Sequence, residues 1–285
     1  MLLSACVAAY PDDAVQSVTT PALVQDGPDS AEPVAGSIMT TGTTEAQPPD
    51  ENFSLTFMAQ IDNVFPHDRD AFTQGLSLRD GLFYESTGIR GASTVRIVDP
   101  ASGEVLASVE LPDEYFGEGL EVLGDRIVQL TWQSEIAFIW DVHTLELLGT
   151  YSYEGEGWGL CVRDNQFYMS NGSSQLTIRD IKTFEPVETI DVRFRGEPVE
   201  NLNELECTAS EVYANVWNSD VIVVVDPGTG FVIGRVATDM LTAEVGEEDG
   251  IDVLNGIAYD PATDSFFLTG KYWPKVFQVH LELSG

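Results

Sequence analysis

Short apolar runs separated by clusters of Gly, Asp, Asn and Pro fill the chain from Phe53 onward, and the helix formers among them do not fall at helical spacing. That is the pattern of many short β-strands joined by tight turns. The pattern also repeats. Phe72-Thr73-Gln74-Gly75-Leu76, Phe116-Gly117-Glu118-Gly119-Leu120, Glu156-Gly157-Trp158-Gly159-Leu160, Asn201-Leu202-Asn203-Glu204-Leu205 and Val253-Leu254-Asn255-Gly256-Ile257 each open a unit, and their fourth residues lie 44, 40, 45 and 52 positions apart. A turn and a second apolar run follow each opener, as in Gly81-Leu82-Phe83-Tyr84 and Asp125-Arg126-Ile127-Val128. Four units continue with a third run and a turn of the Asp-Pro-x-x-Gly kind, at 95–103, 136–144, 176–183 and 221–230. A fourth run then follows, such as Glu104 to Val109.

Four short strands per unit at this period predict an all-β fold, a β-propeller whose blades stack radially because no single blade covers both its faces. Five openers predict five blades in one domain over residues 53–285. The last unit ends near Glu282 after three strands, whereas Phe53-Ser54-Leu55-Thr56-Phe57 belongs to no unit. This opening strand is expected to complete the last blade and close the ring, which removes two exposed sheet edges.

The third position of the openers holds Gln74, Glu118, Trp158, Asn203 and Asn255. The innermost strand of a propeller blade lines the axis, so these five residues are expected to form one ring. A second ring is expected where the second strands end, at Glu85 and Ser86, Thr131 and Trp132, Ser170 and Asn171, Asn215 and Trp217, and Thr269 and Lys271. Each residue alone has a plain structural role. Asn255 reads as a turn or cap residue, Glu118 between glycines could satisfy backbone amides, and Trp140 is expected to pack between blades. Together, a carboxylate, a lysine, carboxamides and the indoles of Trp132, Trp158 and Trp217 at one mouth are what a small-molecule site requires.

Charge narrows the partners. The 285 residues carry 47 acidic against 13 basic side chains, a net charge of −34, and only Lys182, Lys271 and Lys275 are lysines. So acidic a surface repels nucleic acid and anionic membranes. Residues 1–52 hold eight acids and no base, so the excess is spread over the folded part as well. Of the three cysteines, Cys161 and Cys207 each follow an apolar turn into a strand, where a buried thiol acting as a small hydrophobe is expected. A disulfide between them is an alternative that nothing in the sequence requires.

Cys6 closes Leu3-Ser4-Ala5-Cys6, which has the form of a bacterial lipoprotein processing box. Only Met1 and Leu2 precede it, so the true start codon is expected upstream. Residues 1–6 are therefore read as a signal-peptide remnant with a lipidated cysteine, and residues 7–52, acidic and rich in Pro and Thr, as a disordered tether. Export to the periplasm or cell envelope follows, with membrane contact only through the lipid.

The runs Phe-Thr-Gln-Gly-Leu (72–76), Tyr-Glu-Ser-Thr-Gly (84–88), Tyr-Phe-Gly-Glu-Gly-Leu (115–120), Gly-Trp-Gly-Leu (157–160), Leu-Asn-Glu-Leu-Glu (202–206), Ala-Asn-Val-Trp (214–217), Asp-Val-Leu-Asn-Gly-Ile-Ala (252–258) and Thr-Gly-Lys-x-Trp-Pro-Lys (269–275) resemble the plant-type glutaminyl-peptide cyclotransferases and their bacterial relatives. The similarity covers about residues 55–283. It implies the five-bladed fold, closure of N-terminal glutamine into pyroglutamate with release of ammonia, Glu118 as acid and base, and a pocket shaped by Gln74, Asn203, Trp132, Trp158, Trp217 and Lys271. Ile89-Arg90 and Tyr272 depart from the family pattern.

In that chemistry, Lys271 or an indole N–H of Trp132 or Trp217 is expected to stabilise the oxyanion. Burial among tryptophans is expected to raise the pKa of Glu118. Substrates would be peptides or proteins with N-terminal glutamine, handled by a monomer. No metal or other cofactor is expected to act in catalysis, because His67, His143 and His280 form no ligand pattern; a structural divalent cation in the channel stays open. Two other readings stand beside this one. A metal-dependent propeller lactonase or hydrolase would want several carboxylates where the first ring has only Glu118. A non-catalytic propeller lipoprotein would need neither the acid nor the lysine.

Overall fold

Residues 55–246 and 250–284 are described by a computed structural model. Cys6 and all of the tether and remnant read over residues 1–52 lie outside them. Strand β1 (Thr56–Pro66) is followed by three sets of four strands, each a sheet in sequence order. The first set is β2 (Thr73–Arg79), β3 (Leu82–Thr87), β4 (Thr94–Val98) and β5 (Val105–Glu110). The second is β6 (Gly117–Leu123), β7 (Arg126–Thr131), β8 (Ile136–Asp141) and β9 (Leu147–Ser152). The third is β10 (Leu160–Arg163), β11 (Gln166–Met169), β12 (Gln175–Asp180) and β13 (Pro186–Asp191).

A small hairpin, β14 (Arg193–Phe194) and β15 (Glu197–Pro198), leads to β16 (Leu202–Cys207), β17 (Val212–Val216), β18 (Val221–Val225) and β19 (Val232–Ala237). The helix α1 (Asp239–Val245) occupies the longest interval between openers and precedes β20 (Leu254–Asp260), β21 (Ser265–Gly270) and β22 (Lys275–Leu283). Neither the hairpin nor the helix is signalled by the repeat.

β1 is the fourth strand of the last set. It runs antiparallel to β22 from Phe57↔Leu283 to Pro66↔Lys275, with a register break between Ile61 and Asn63, and touches β19 in parallel over Thr56 to Met58. The strand therefore begins later and runs further than 53–57. Its polar Gln60, Asp62 and Asn63 break the apolar alternation by which a strand is recognised.

The first strands are buried along most of their length, and the outermost β5 and β9 alternate exposed and half-buried positions. First strands abut in the order β2, β6, β10, β16, β20 and back to β2. Buried apolar clusters fill the spaces between consecutive sets. Tyr84, Val95, Leu120, Phe138 and Trp140 join the first and second; Leu76, Phe83, Ala258, Phe267 and Val276 join the last and first. Trp140 packs between sheets as expected, its indole donating to Gln129 Oε1 at 3.0 Å. The fold is all-β and propeller-like.

Cys161 of β10 and Cys207 of β16 form a disulfide, with Cα atoms 5.5 Å apart. The expectation of two independent buried thiols is thus corrected. The two cysteines sit on first strands of successive sets that lie side by side, an adjacency that strand-by-strand reading does not reveal.

Candidate active site

Antiparallel pairing of first and second strands brings both predicted rings to one end of the sheets. Gly117 pairs with Thr131, Leu202 with Val216 and Leu254 with Gly270, so Trp132, Trp217 and Lys271 emerge beside the openers. Main-chain bonds hold them there: Trp132 N to Phe116 O (3.0 Å), Trp217 N to Asn201 O (2.8 Å) and Lys271 N to Val253 O (2.9 Å). The opener strands break register at Thr73/Gly75, Gly117/Leu120, Leu202/Leu205 and Leu254/Ile257. Gln74, Glu118, Asn203 and Asn255 fall inside these bulges, which is how a strand re-aims a side chain. Close approach of neighbouring openers accounts for one flanking glycine: a Cβ on Gly119 would sit 2.6 Å from the Trp158 carbonyl oxygen.

Glu118 is 4% exposed. Burial pushes its carboxyl well above the ordinary value, Lys271 opposes that, the charge of Glu156 adds to it, and a hydrogen bond from Gln74 opposes it. Gln74 is in turn held by Asn255, whose Nδ2 donates to Thr73 O at 2.9 Å and to Gln74 Oε1 at 3.4 Å. Lys271 is equally buried. Burial lowers its pKa, with Glu118 and Asp252 holding it back, and its Nζ lies 4.6 Å from the Phe72 ring centre. The site thus pairs a buried carboxyl of high proton affinity with a buried amine. Asn203 is buried and its Oδ1 has no hydrogen-bond partner in the protein.

One of the two indoles offered as an oxyanion donor is engaged elsewhere. Trp132 Nε1 donates to Glu156 Oε2 at 2.7 Å, so this indole N–H is already taken and is not offered to an oxyanion. Trp158 Nε1 donates to the same oxygen at 2.9 Å. Trp217 is 45% exposed and meets Trp158 edge-on, with ring centres 5.8 Å apart. Glu156 opens the third repeat unit but was not singled out from the sequence, because the first opener position holds Phe72, Phe116, Asn201 and Val253 in the other units and shows no common chemistry. Glu85, expected in the second ring, serves structure instead. It accepts from His67 (2.9 Å), Thr73 (2.6 Å) and Arg96 (2.8 Å), and although burial alone would raise its pKa, Arg96 and His67 hold it well below the carboxylate range.

Further along the first strands, Glu121, Glu204 and Glu206 turn to main-chain N–H groups. Glu204 accepts from Leu76 (3.3 Å) and Ile257 (2.8 Å), and Glu206 from Tyr259 (2.9 Å). Among the described residues no cluster of three or more His, Cys, Asp or Glu side chains is arranged to hold a metal.

A family model for glutamine cyclotransferase matches residues 34–281. A glutaminyl-peptide cyclotransferase of Arabidopsis thaliana is 41% identical over 223 residues, which is 76% of this chain and 69% of the relative. The crystal structure of Myxococcus xanthus glutaminyl cyclase superposes with a TM-score of 0.76 at 38% identity, covering 81% of this chain and 99% of that one. With the opener motifs and all but the last residues of β22 inside the matched span, the chain belongs to the glutamine cyclotransferase family.

Proposed function

We infer that the protein is a glutaminyl-peptide cyclotransferase that closes N-terminal glutamine of peptides into pyroglutamate and releases ammonia. The observation that carries the mechanism is the buried pair of Glu118 and Lys271 behind an aromatic mouth. Folding the substrate back on itself makes the attack intramolecular, which supplies much of the acceleration. The α-amine nitrogen forms a bond to the γ-carboxamide carbon while its proton passes to the Glu118 carboxylate. Lys271 stabilises the oxyanion. On collapse the carbon–nitrogen bond breaks, Glu118 returns its proton to the leaving nitrogen, and ammonia departs. No step calls on a metal or cofactor.

Asn203 and Gln74 recognise the carboxamide and amine, a role supported by the unpartnered Asn203 Oδ1. Trp132, Trp158 and Trp217 wall the pocket. The scaffold is read as five blades closed by β1, supported by the circuit of first strands and the clusters between sets. We extend the reading to a monomer tethered by residues 7–52 to a lipidated Cys6 in the cell envelope. The Cys161–Cys207 disulfide supports an oxidising compartment. Incubation with a glutaminyl dipeptide amide tests the activity: ammonia and a pyroglutamyl product should appear together, and absence of both rejects the reading.

A further inference from the structure

Seven residues form an arc around the site mouth. Tyr272 packs on Phe72 (ring centres 5.1 Å apart), Phe72 on Phe116 (6.1 Å), Phe116 on Trp132 (5.7 Å), and Trp158 on Trp217 (5.8 Å). The gap between Trp132 and Trp158 is spanned by Glu156, whose Oε2 accepts both indole N–H groups while Gln133 Nε2 donates to Oε1 at 2.8 Å. A lone buried indole commonly finds any available acceptor. Here a single oxygen fixes two rings from successive units relative to each other. Space for the second ring is made by Gly172, at φ +80°, where a Cβ would fall 2.6 Å from Trp158 Cζ2.

We propose that Glu156 is a positioning residue of the cyclisation site, a carboxylate that locks Trp132 and Trp158 into one wall and, two residues before the Trp158 carbonyl that accepts from Gly119 N at 2.6 Å, brings a second negative charge to the opener that carries Glu118. The inference rests on the cyclotransferase reading above. Burial pushes the Glu156 carboxyl up, but the hydrogen bonds from Gln133 and the two indoles together outweigh it and hold the group below its ordinary value. Glu118 feels that charge, together with Lys271 from the end of β21, the Gln74 side chain from β2, and Tyr153 from beyond β9. Asp252 faces Lys271 from the other side. Two carboxyl groups in one site, one kept ionised and the other kept protonatable, is an arrangement that separates acid–base work from orientation.

The sign is fixed by like-charge repulsion. Removing the Glu156 charge makes Glu118 easier to ionise, so the acid limb of the pH–rate profile moves to lower pH. The test compares kcat/KM across pH for wild type, Glu156→Gln and Glu156→Asp on one glutaminyl dipeptide amide, whose own amine contributes equally to all three profiles. Glu156→Gln is expected to lose about tenfold to a hundredfold in rate through loosened indoles and to shift the limb acidward by about one pH unit. Glu156→Asp is expected to lose rate while leaving the limb in place. A limb unmoved in Glu156→Gln, or moved as far in Glu156→Asp, overturns the proposal. Glu156 is half-buried in a loop, so folding is checked by the near-ultraviolet tryptophan spectrum. A wild type that forms no pyroglutamate rejects the functional reading instead.

Discussion

Substrate recognition and oxyanion stabilisation are assigned to different side chains, which single substitutions separate. Asn203→Ala removes a buried carboxamide whose Oδ1 has no protein partner, so folding should change little while substrate handling weakens by about 1–3 kcal/mol, read as a fall in kcat/KM. An unchanged kcat/KM would remove Asn203 from substrate recognition. Lys271→Met keeps the stem over Phe72 but deletes the charge. If Lys271 is the oxyanion donor, kcat should fall by roughly a hundredfold to a thousandfold, and a loss confined to KM would assign it to binding instead. At this scale Glu118 could be picked out as a candidate because its opener repeats and it is the one carboxylate of the ring. Glu156 could not, since its meaning lies in two indoles that reach it from different units. The structural role of Glu85 was hidden for the same reason. Its partners His67 and Arg96 lie 18 residues before and 11 residues after it, and only the folded sheet brings them together.

The elements follow from the same local rules with one covalent addition. The disulfide joins β10 to β16 over a separation of 46 residues. Closing a loop of that length in the unfolded chain is worth about 4 kcal/mol by the chain-entropy estimate. Reduction, or Cys161→Ala with Cys207→Ala, should therefore lower unfolding stability by up to that amount without abolishing turnover, because neither sulfur lies among the opener side chains. Denaturant midpoints that coincide for oxidised and reduced protein would show that the bond contributes nothing. Strand positions were legible from alternation wherever a strand has one polar and one apolar face. β1 was placed early because Gln60, Asp62 and Asn63 interrupt its pattern, and α1 was missed because a seven-residue helix shows too few turns to establish a period.

Across the whole molecule, buried acids set the pH response. Burial raises Glu118, Glu204 and Glu206 well above the ordinary value and Glu121 to about 7. Each binds a proton more tightly folded than unfolded, so stability falls as pH rises from the unfolded glutamate value toward these raised ones. His67, raised by Glu85 against the effect of burial, acts in the same direction, since its contribution is present below the unfolded histidine value and is lost as pH rises through the folded one. Glu85, held low, contributes throughout this window and loses its contribution only in stronger acid. Thermal unfolding should therefore occur at least about 3 °C higher near pH 5 than near pH 8, the equivalent of roughly 1 kcal/mol for a chain of this size; a midpoint that rises with pH would contradict these assignments. The repeat period made the propeller-like architecture legible, and the unlike ring marked out the candidate site; the stitching of first strands by Glu204 and Glu206 was not legible, because those residues look like surface acids in a chain of net charge −34. The central claim is that Glu118, in this pocket, shuttles the proton that closes glutamine. It is tested by formation of the pyroglutamyl product from a glutaminyl and a glutamyl dipeptide amide at neutral pH, the first with loss of ammonia and the second with loss of water, with wild type and Glu118→Gln side by side. Wild type should release ammonia with the glutaminyl peptide and turn over the glutamyl peptide more slowly by several orders of magnitude, and Glu118→Gln should fold normally yet lose about a hundredfold or more on glutamine. Equal wild-type rates on the two peptides, or near-normal turnover by Glu118→Gln, would contradict the account.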